Sequence, residues 1–233
     1  MYFDMTYIII VLPAIIFSLI ASSKVNSTFK KYSKIRAASG MTGAEVARRI
    51  LDANGLANVA IEQVSGSLTD HYDPRANVIR LSQPVYGSSS VAAIGVAAHE
   101  TGHAVQYATG YSPIKLRAAI IPATNIGSKL AMPLIILGLV LSATAANLIT
   151  IAYAGILCFS LSALFQLITL PVEFNASRRA LNTIESFGIL SGSEQDGARK
   201  VLSAAAMTYV AALAVSLAQL LRLLLMVQRR DSR

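Results

Sequence analysis

The sequence is poor in charge, in cysteine and in histidine. Of its 233 residues, 14% are charged and 54% are hydrophobic, with a mean hydropathy of +0.56, whereas soluble domains carry about 25% charged residues. An ordinary soluble globule and a disordered chain both require more charge than this. The single cysteine, Cys158, excludes a disulfide framework and a cysteine-rich metal site. A membrane is therefore the expected solvent for much of the chain.

Positive charge exceeds negative charge and is concentrated near the N-terminus. The chain has 20 Lys and Arg against 12 Asp and Glu, for a net charge of +8. Seven of the basic residues fall within 24–49: Lys24, Lys30, Lys31, Lys34, Arg36, Arg48 and Arg49. Such a cluster can mark a nucleic-acid surface, but this one follows directly on an apolar segment and has no repeated aromatic pattern. We interpret it as a juxtamembrane cluster on the cytoplasmic side and expect no nucleic-acid partner.

The first apolar segment, 5–22, contains no charge over 18 positions. This is about the length that crosses a hydrocarbon core of about 30 Å. Because the basic cluster follows the segment and does not precede it, a cleaved signal peptide is disfavoured. Residues 1–22 are predicted to be a retained transmembrane anchor with the N-terminus outside.

A second uncharged region is too long for one crossing. Residues 130–172 hold no charge over 43 positions, and a single helix of that length would measure roughly 65 Å. We therefore predict a transmembrane hairpin at 130–170, bent near Asn147 and Thr150. Its two ends are expected on one side of the membrane, which places Glu173 on the same side as the residues before 130.

The last apolar run, 201–221, is followed by Arg222, Arg229, Arg230 and Arg233. If the run crosses the membrane, these arginines finish outside, against the positive-inside tendency. A tilted helix, or one packed against the polar part of the chain, is the alternative. We predict that 201–233 forms a transmembrane helix with a basic tail. The fold class is then an α-helical integral membrane protein with three to four transmembrane helices.

The remaining stretches, 23–129 and 171–200, are expected to form a small cytoplasmic α+β domain. Thr42 and Glu45 have capping-box spacing, which predicts a helix start. The segments NVAIEQVS and NVIRLS alternate in polarity and predict a hairpin that includes an Asp73-Pro74 turn. Its strand at 77–82 is predicted to offer an edge to an extended substrate.

A further helix is predicted from a serine cap at 88–90 to Gly110, and it contains His99-Glu100-Thr101-Gly102-His103. Histidines four apart lie on one helix face and can present two nitrogens to one metal ion. Glu100 lies beside them, where it can take a proton from a metal-bound water. The alternative is two surface histidines on an Ala-rich helix. Two of the three histidines of the chain occur here, which favours metal binding.

Zinc is the expected metal, because imidazole plus carboxylate with an open fourth position is how catalytic zinc is held. The metzincin pattern is absent, since Gln106 and Thr109 occupy the positions that it requires as Gly and His. The third ligand must therefore come from elsewhere. Asp70 and His71 in the predicted hairpin loop are candidates. A donor on a second helix favours Glu173, which lies near the start of a helix predicted to begin at Pro171. The alternative role for Glu173 is an ion pair with Arg178, about one turn away.

Three segments resemble a known family: HETGHAVQYATGYSPIKLR (99–117), LPVEFNASRRAL (170–181) and KVLSAAAMTYVAALA (200–214). They are similar to the YugP-type membrane zinc metallopeptidases, and the resemblance covers nearly the whole chain. More distantly, the layout resembles HtpX and the CAAX prenyl proteases. Those enzymes place an HExxH helix before two transmembrane segments and supply the third zinc ligand from a Glu after them.

The resemblance implies a zincin-like, gluzincin-type catalytic domain. Carried over by position, it implies three zinc ligands and one catalytic base: His99, His103, Glu173 and Glu100. HtpX-like enzymes usually have an Asp four residues beyond the ligating Glu, where it orients a histidine. The equivalent residue here is Ser177, so support for the ligands is expected from Ser177, Asn175 or elsewhere.

The function predicted from the sequence is zinc-dependent peptide hydrolysis at the cytoplasmic face of a bacterial plasma membrane. Polypeptides, chiefly membrane proteins, are the expected substrates, and the resemblance to HtpX implies membrane-protein quality control. An oxyanion donor is also required, and its candidates are His71, Tyr107, Tyr209 and Arg178. The alternatives are an intramembrane protease of the site-2 type and a non-hydrolytic, zinc-binding membrane scaffold or chaperone.

Overall fold

The computed structural model describes residues 5–231 and is mostly helical, with one small sheet. Four helical segments are long and apolar enough to cross a membrane: Tyr7–Tyr32, Ser112–Leu141, Ala146–Ser186 and Ser193–Asp231. The prediction of a helical protein with three to four such segments is confirmed. Residues 1–4 of the predicted anchor and Arg233 of the predicted basic tail lie outside the described residues.

The chain divides into two compact units. The apolar unit comprises Met1–Ile20, Leu116–Leu170 and Thr208–Arg233, and the polar unit comprises Ala21–Lys115 and Pro171–Met207. A short π-helical stretch, Tyr7–Val11, precedes helix α1 (Leu12–Tyr32). The boundary at Ile20 falls inside α1, and each of three later helices also contributes residues to both units.

In the apolar unit, α5 (Ser112–Leu141) and α6 (Ile149–Ser186) form an antiparallel pair joined by residues 142–148. The turn thus begins several residues before the predicted bend. A buried cluster unites the pair with the last helix: Ile135, Ile149, Ala152, Ile156, Leu223 and Val227. Large apolar side chains such as Ile9, Val140 and Leu157 are 63–70% exposed, as the lipid-facing side of a spanning helix requires.

Helix α2 (Gly43–Ala53) begins at the predicted capping box. The Thr42 side chain accepts from the Glu45 N–H, and the Glu45 carboxylate accepts from the Thr42 N–H. These hydrogen bonds lower the pKa of Glu45, because they stabilise its charged form. The apolar face of α2, with Val46, Ile50 and Leu51, is buried in the core of the polar unit.

The sheet differs from the predicted hairpin. Strands β1 (Ala60–Val64) and β3 (Val78–Ser82) are parallel, and a third strand, β2 (His71–Asp73), pairs antiparallel with β3. The strand order is β1-β3-β2. The segment predicted as a loop therefore supplies its own strand, and the Asp73-Pro74 turn joins β2 to β3. The prediction that 77–82 offers an edge is wrong, because β3 is the central strand with both edges paired.

The short helix α3 (Gln83–Tyr86) leads into α4 (Val91–Ala108), which carries the two histidines. The Ser90 side chain accepts from the Ala93 N–H, which confirms the predicted serine cap. Helix α4 ends at Ala108, and Gly110, two residues later, has a φ of +66° that suits a residue without a side chain. The last helix, α7 (Ser193–Asp231), is continuous over 39 residues.

Candidate metal centre

Three potential metal donors converge between two helices of the polar unit. His99 and His103 lie one turn apart on α4, and Glu173 lies on α6 just after Pro171. Pro171 was predicted to begin a new helix, but α6 runs through it without a break. One oxygen of Glu173 is 3.3 Å from Nε2 of His99 and 3.5 Å from Nε2 of His103. All three donor atoms lie within 4.8 Å of one another.

The spacing of these donors fits zinc. In a tetrahedral zinc site with bonds of 2.0–2.1 Å, neighbouring donor atoms lie about 3.3–3.4 Å apart, close to the two separations found here. The Glu173 side chain is only 3% exposed, and the two imidazoles are 14% and 12% exposed. Residues His99, His103 and Glu173 would hold the ion, and the donor set of two imidazoles and one carboxylate is that of catalytic zinc sites.

The other nitrogen of each imidazole has its own partner. Nδ1 of His103 is 2.9 Å from the Gln106 Oε1, and Nδ1 of His99 is 3.1 Å from the Ser177 hydroxyl oxygen. Because the Gln106 oxygen only accepts, Nδ1 of His103 carries the hydrogen and Nε2 keeps its lone pair for a metal. The Ser177 hydroxyl oxygen can likewise accept a hydrogen bond from Nδ1 of His99, which leaves the lone pair of Nε2 of His99 for a metal. Ser177, one of the residues expected to support the ligands, thus contacts His99.

Gln106 is the residue that the sequence reasoning missed. It is fully buried, and its amide nitrogen donates to the Val172 carbonyl at 2.8 Å and to the Asn175 side-chain oxygen at 3.0 Å. Arg179 donates to the same Asn175 oxygen at 2.8 Å. The signal was present, because Gln106 lies three residues after His103 on the same helix face. It had been considered only as a departure from the metzincin pattern.

The glycine of the HExxH segment permits the approach of α6 to α4. A Cβ atom at Gly102 would lie 2.8 Å from the Ala176 carbonyl oxygen and 3.2 Å from its Cα. Both atoms belong to the backbone, so neither can rotate away as a side chain can. Because Ala176 is three residues from Glu173, close contact at Gly102 brings the carboxylate within reach of both imidazoles.

Glu100 is buried beside the donors, with 7% of its surface exposed. Burial raises the pKa of its carboxyl group, an effect that the neighbouring His99 and His103 oppose and that Glu173 and Asp70 reinforce. A carboxyl group with a raised pKa next to a metal site is suited to accepting and releasing a proton.

The alternative third ligands do not join this cluster. Asp70 accepts hydrogen bonds from the backbone and hydroxyl of Ser82, at 2.7 and 2.9–3.1 Å. His71 is exposed, and its Nδ1 lies 2.9 Å from the Thr69 carbonyl oxygen. Across residues 5–231 the metal-donor cluster contains neither of them.

The predicted oxyanion donors lie on different elements of the structure. Tyr107 is half-buried on α4 and its ring lies 5.7 Å from that of Tyr72. Arg178 is exposed, and within the described chain it forms no ion pair with Glu173. Tyr209 belongs to the apolar unit.

A family model described as "Putative neutral zinc metallopeptidase" matches residues 7–228. A protein of Bacillus subtilis (strain 168), named "Putative membrane protease YugP", is 53% identical over 218 residues, which are 94% of this chain and 95% of that protein. No solved structure shows a significant match. The match confirms the resemblance seen in the sequence, and the chain belongs to the family described as putative neutral zinc metallopeptidases.

Proposed function

We propose that the protein is a membrane-anchored, zinc-dependent endopeptidase with a gluzincin-type site on a zincin-like polar unit. The observation that carries the proposal is the donor geometry: two imidazole Nε2 atoms lie 3.3 and 3.5 Å from one buried carboxylate oxygen. A carboxyl group with a raised pKa lies beside them at Glu100. A purely structural zinc site has no need of this fourth residue.

In this proposal each residue of the site has one role. His99, His103 and Glu173 hold zinc, which when bound acts as a Lewis acid and lowers the pKa of water. Glu100 accepts a proton from the attacking water and delivers it to the nitrogen of the leaving amine. Gln106 and Ser177 fix the two imidazole rings so that both Nε2 atoms face the ion.

The site is proposed to act at the cytoplasmic membrane surface of a bacterium, on polypeptide substrates that include membrane proteins. Helix α4 is not among the four segments apolar enough to cross a membrane within residues 5–231, which supports a surface site over an intramembrane one. The basic residues at 24–49 support the cytoplasmic orientation. A role in membrane-protein quality control is part of the same proposal.

The decisive experiment replaces Glu100 by Gln in the full-length protein. We expect E100Q to bind zinc as the wild type does and to lose at least about 10²-fold in turnover of a broad peptide library, because the amide cannot accept the proton. Zinc content and cleavage are measured on the same sample. The matched control is E185Q on α6, which should retain full activity.

Retained cleavage in E100Q, with contaminating proteases excluded by a mock purification, would remove Glu100 from the mechanism. A wild-type protein that holds one zinc per chain and cleaves no member of the library would support the non-hydrolytic scaffold instead.

A further inference from the structure

A second site of the polar unit is a basic cavity of about 740 Å³ between α1 and the start of α7. This volume is within the range of about 300–1,000 Å³ that small-molecule sites occupy. Four cations and two serine hydroxyls are among its lining groups: Lys24, Lys31, Arg199, Lys200, Ser27 and Ser203. None of these residues belongs to the metal centre.

The four cations of this cavity have no acidic partner among its lining residues. The sequence contains no Asp or Glu from residue 5 to 44, and the nearest acidic residue along α7, Asp196, lies about one turn before Arg199 and Lys200 without forming an ion pair with either. Within the described part of the chain none of the four cations forms an ion pair. Four like charges around one cavity repel each other, so an anion that binds among them relieves this repulsion.

Both walls of the cavity lead into candidate membrane segments. On α1, Lys24 follows the uncharged segment 5–22 by two residues, which is about 3 Å of helix rise. On α7, the lining residue Met207 lies inside the apolar run 201–221 and is 41% exposed. When α1 crosses a bilayer, Lys24 lies in the headgroup layer, which is about 5–7 Å thick on each side.

We propose that this cavity binds the headgroup of an anionic phospholipid. Lysine ammonium groups and the Arg199 guanidinium bind phosphate oxygens, and the serine hydroxyls can donate to the same oxygens. A zwitterionic headgroup is a poorer ligand, because its cation would meet four positive charges and no carboxylate. Thr28, Tyr32, Ala204 and Met207 complete the lining, and the last three suit the glycerol and first acyl carbons of a lipid better than inorganic phosphate.

The test is a binding titration of the full-length protein in a neutral detergent, monitored by native mass spectrometry. The ligands are dioctanoyl phosphatidylglycerol, dioctanoyl phosphatidylcholine and inorganic phosphate. We expect the first to bind at least tenfold more tightly than the other two. The double variant Lys31→Gln/Arg199→Gln should lose at least tenfold in affinity for phosphatidylglycerol.

The matched control is Lys30→Gln/Lys34→Gln, which removes the same charge from the end of α1 and the turn that follows it, outside the cavity. Its affinity should stay within twofold of the wild type. Ser203→Phe, which fills the cavity without changing its charge, should also weaken binding.

Equal losses in both double variants would overturn the proposal in favour of nonspecific charge attraction. Equal binding of phosphatidylcholine would overturn the anionic selectivity, and equal binding of inorganic phosphate would identify a free-phosphate site. Since the readout is lipid binding, its outcome is independent of peptidase activity and of the proposed function.

Discussion

At the residue scale, the metal centre depends on partners behind the imidazoles as much as on the donors. Gln106 is the clearest case, because its oxygen meets His103 while its nitrogen is held by the Val172 carbonyl and Asn175. This arrangement fixes which end of the amide faces the histidine. It also connects the HExxH helix to the segment of α6 that carries Glu173.

Replacement of Gln106 by Ala is therefore expected to weaken zinc binding about 10–100-fold, the usual effect of losing a residue that orients a metal-bound histidine. The measurement is competition with a calibrated chelator on the full-length protein. Gln106→Glu keeps an acceptor for His103 but loses the donor to Val172, so it should give an intermediate loss.

The control for this change is Gln63→Ala, at an exposed position on β1, which should leave zinc affinity unchanged. Wild-type affinity in Gln106→Ala would show that the His103 ring is oriented without the amide.

Replacement of Glu173 should weaken zinc binding more than replacement of Gln106 does. Glu173→Ala removes one of three donors and leaves a space between two imidazoles, so zinc affinity should fall by more than 100-fold. Metal content after dialysis against a weak chelator measures this. Glu185→Ala, twelve residues later on α6 and exposed, is the control on the same helix.

If Glu173→Ala retained stoichiometric zinc and His71→Ala lost it, the third donor would be His71, and the site would require a rearrangement of β2.

At the element scale, the sequence predicts features that depend on neighbouring residues. It does not predict features that depend on which of several distant segments pair with each other. The capping box of Thr42 and Glu45 and the Ser90 cap were predicted because each involves residues three apart. The pairing of β1 with β3 was also predicted, but its parallel orientation was not, because that orientation depends on whether β2 takes the adjacent edge of β3. Alternating polarity cannot distinguish a parallel from an antiparallel partner.

The continuity of α6 through Pro171 was missed for a similar reason. Proline is most common in the first helical turn, so Pro171 after an apolar run indicated a new start. In an apolar helix, packing and neighbouring groups can compensate for the missing N–H. The consequence for the site is that Glu173 lies on a rigid helix and not in a newly started one.

Close packing of α4 on α6 gives a prediction at Gly102. Gly102→Ala places a methyl group 2.8 Å from the Ala176 oxygen, so the helices must separate. The gain in helix propensity is about 1 kcal/mol and the cost of overpacking is about 1–3 kcal/mol. Because the contact is with backbone, we expect a lower thermal midpoint and weaker zinc binding.

Gly95→Ala tests whether the effects expected of Gly102→Ala are specific to position 102. It lies on the same helix, where a Cβ would be 3.4 Å from the Ala198 Cβ, an ordinary contact. The variant should bind zinc normally and unfold at the same or a slightly higher temperature. Equal zinc loss in both variants would mean that the defect comes from α4 itself and not from its contact with α6.

At the scale of the whole molecule, the function depends on which side of the membrane each polar segment occupies. The site combines α4 with a residue that follows 43 uncharged positions, 130–172. Two crossings return the chain to its starting side, whereas one crossing would separate Glu173 from His99. The sequence could predict this return because it depends only on length and charge.

Single cysteines introduced into a Cys158→Ser background test this topology. Arg75→Cys and Ser191→Cys lie at exposed positions before and after the hairpin, and Asn147→Cys lies at its turn. With an impermeant maleimide on intact cells, we expect only position 147 to react, because the proposed orientation places the polar segments and the basic residues at 24–49 in the cytoplasm. Positions 75 and 191 should react together once the membrane is permeabilised.

Reaction of 75 and 191 in intact cells, with 147 protected, would invert the orientation but preserve the site. If 75 and 191 reacted from opposite sides, His99 and Glu173 could not share an ion, and the peptidase proposal would fail with the topology.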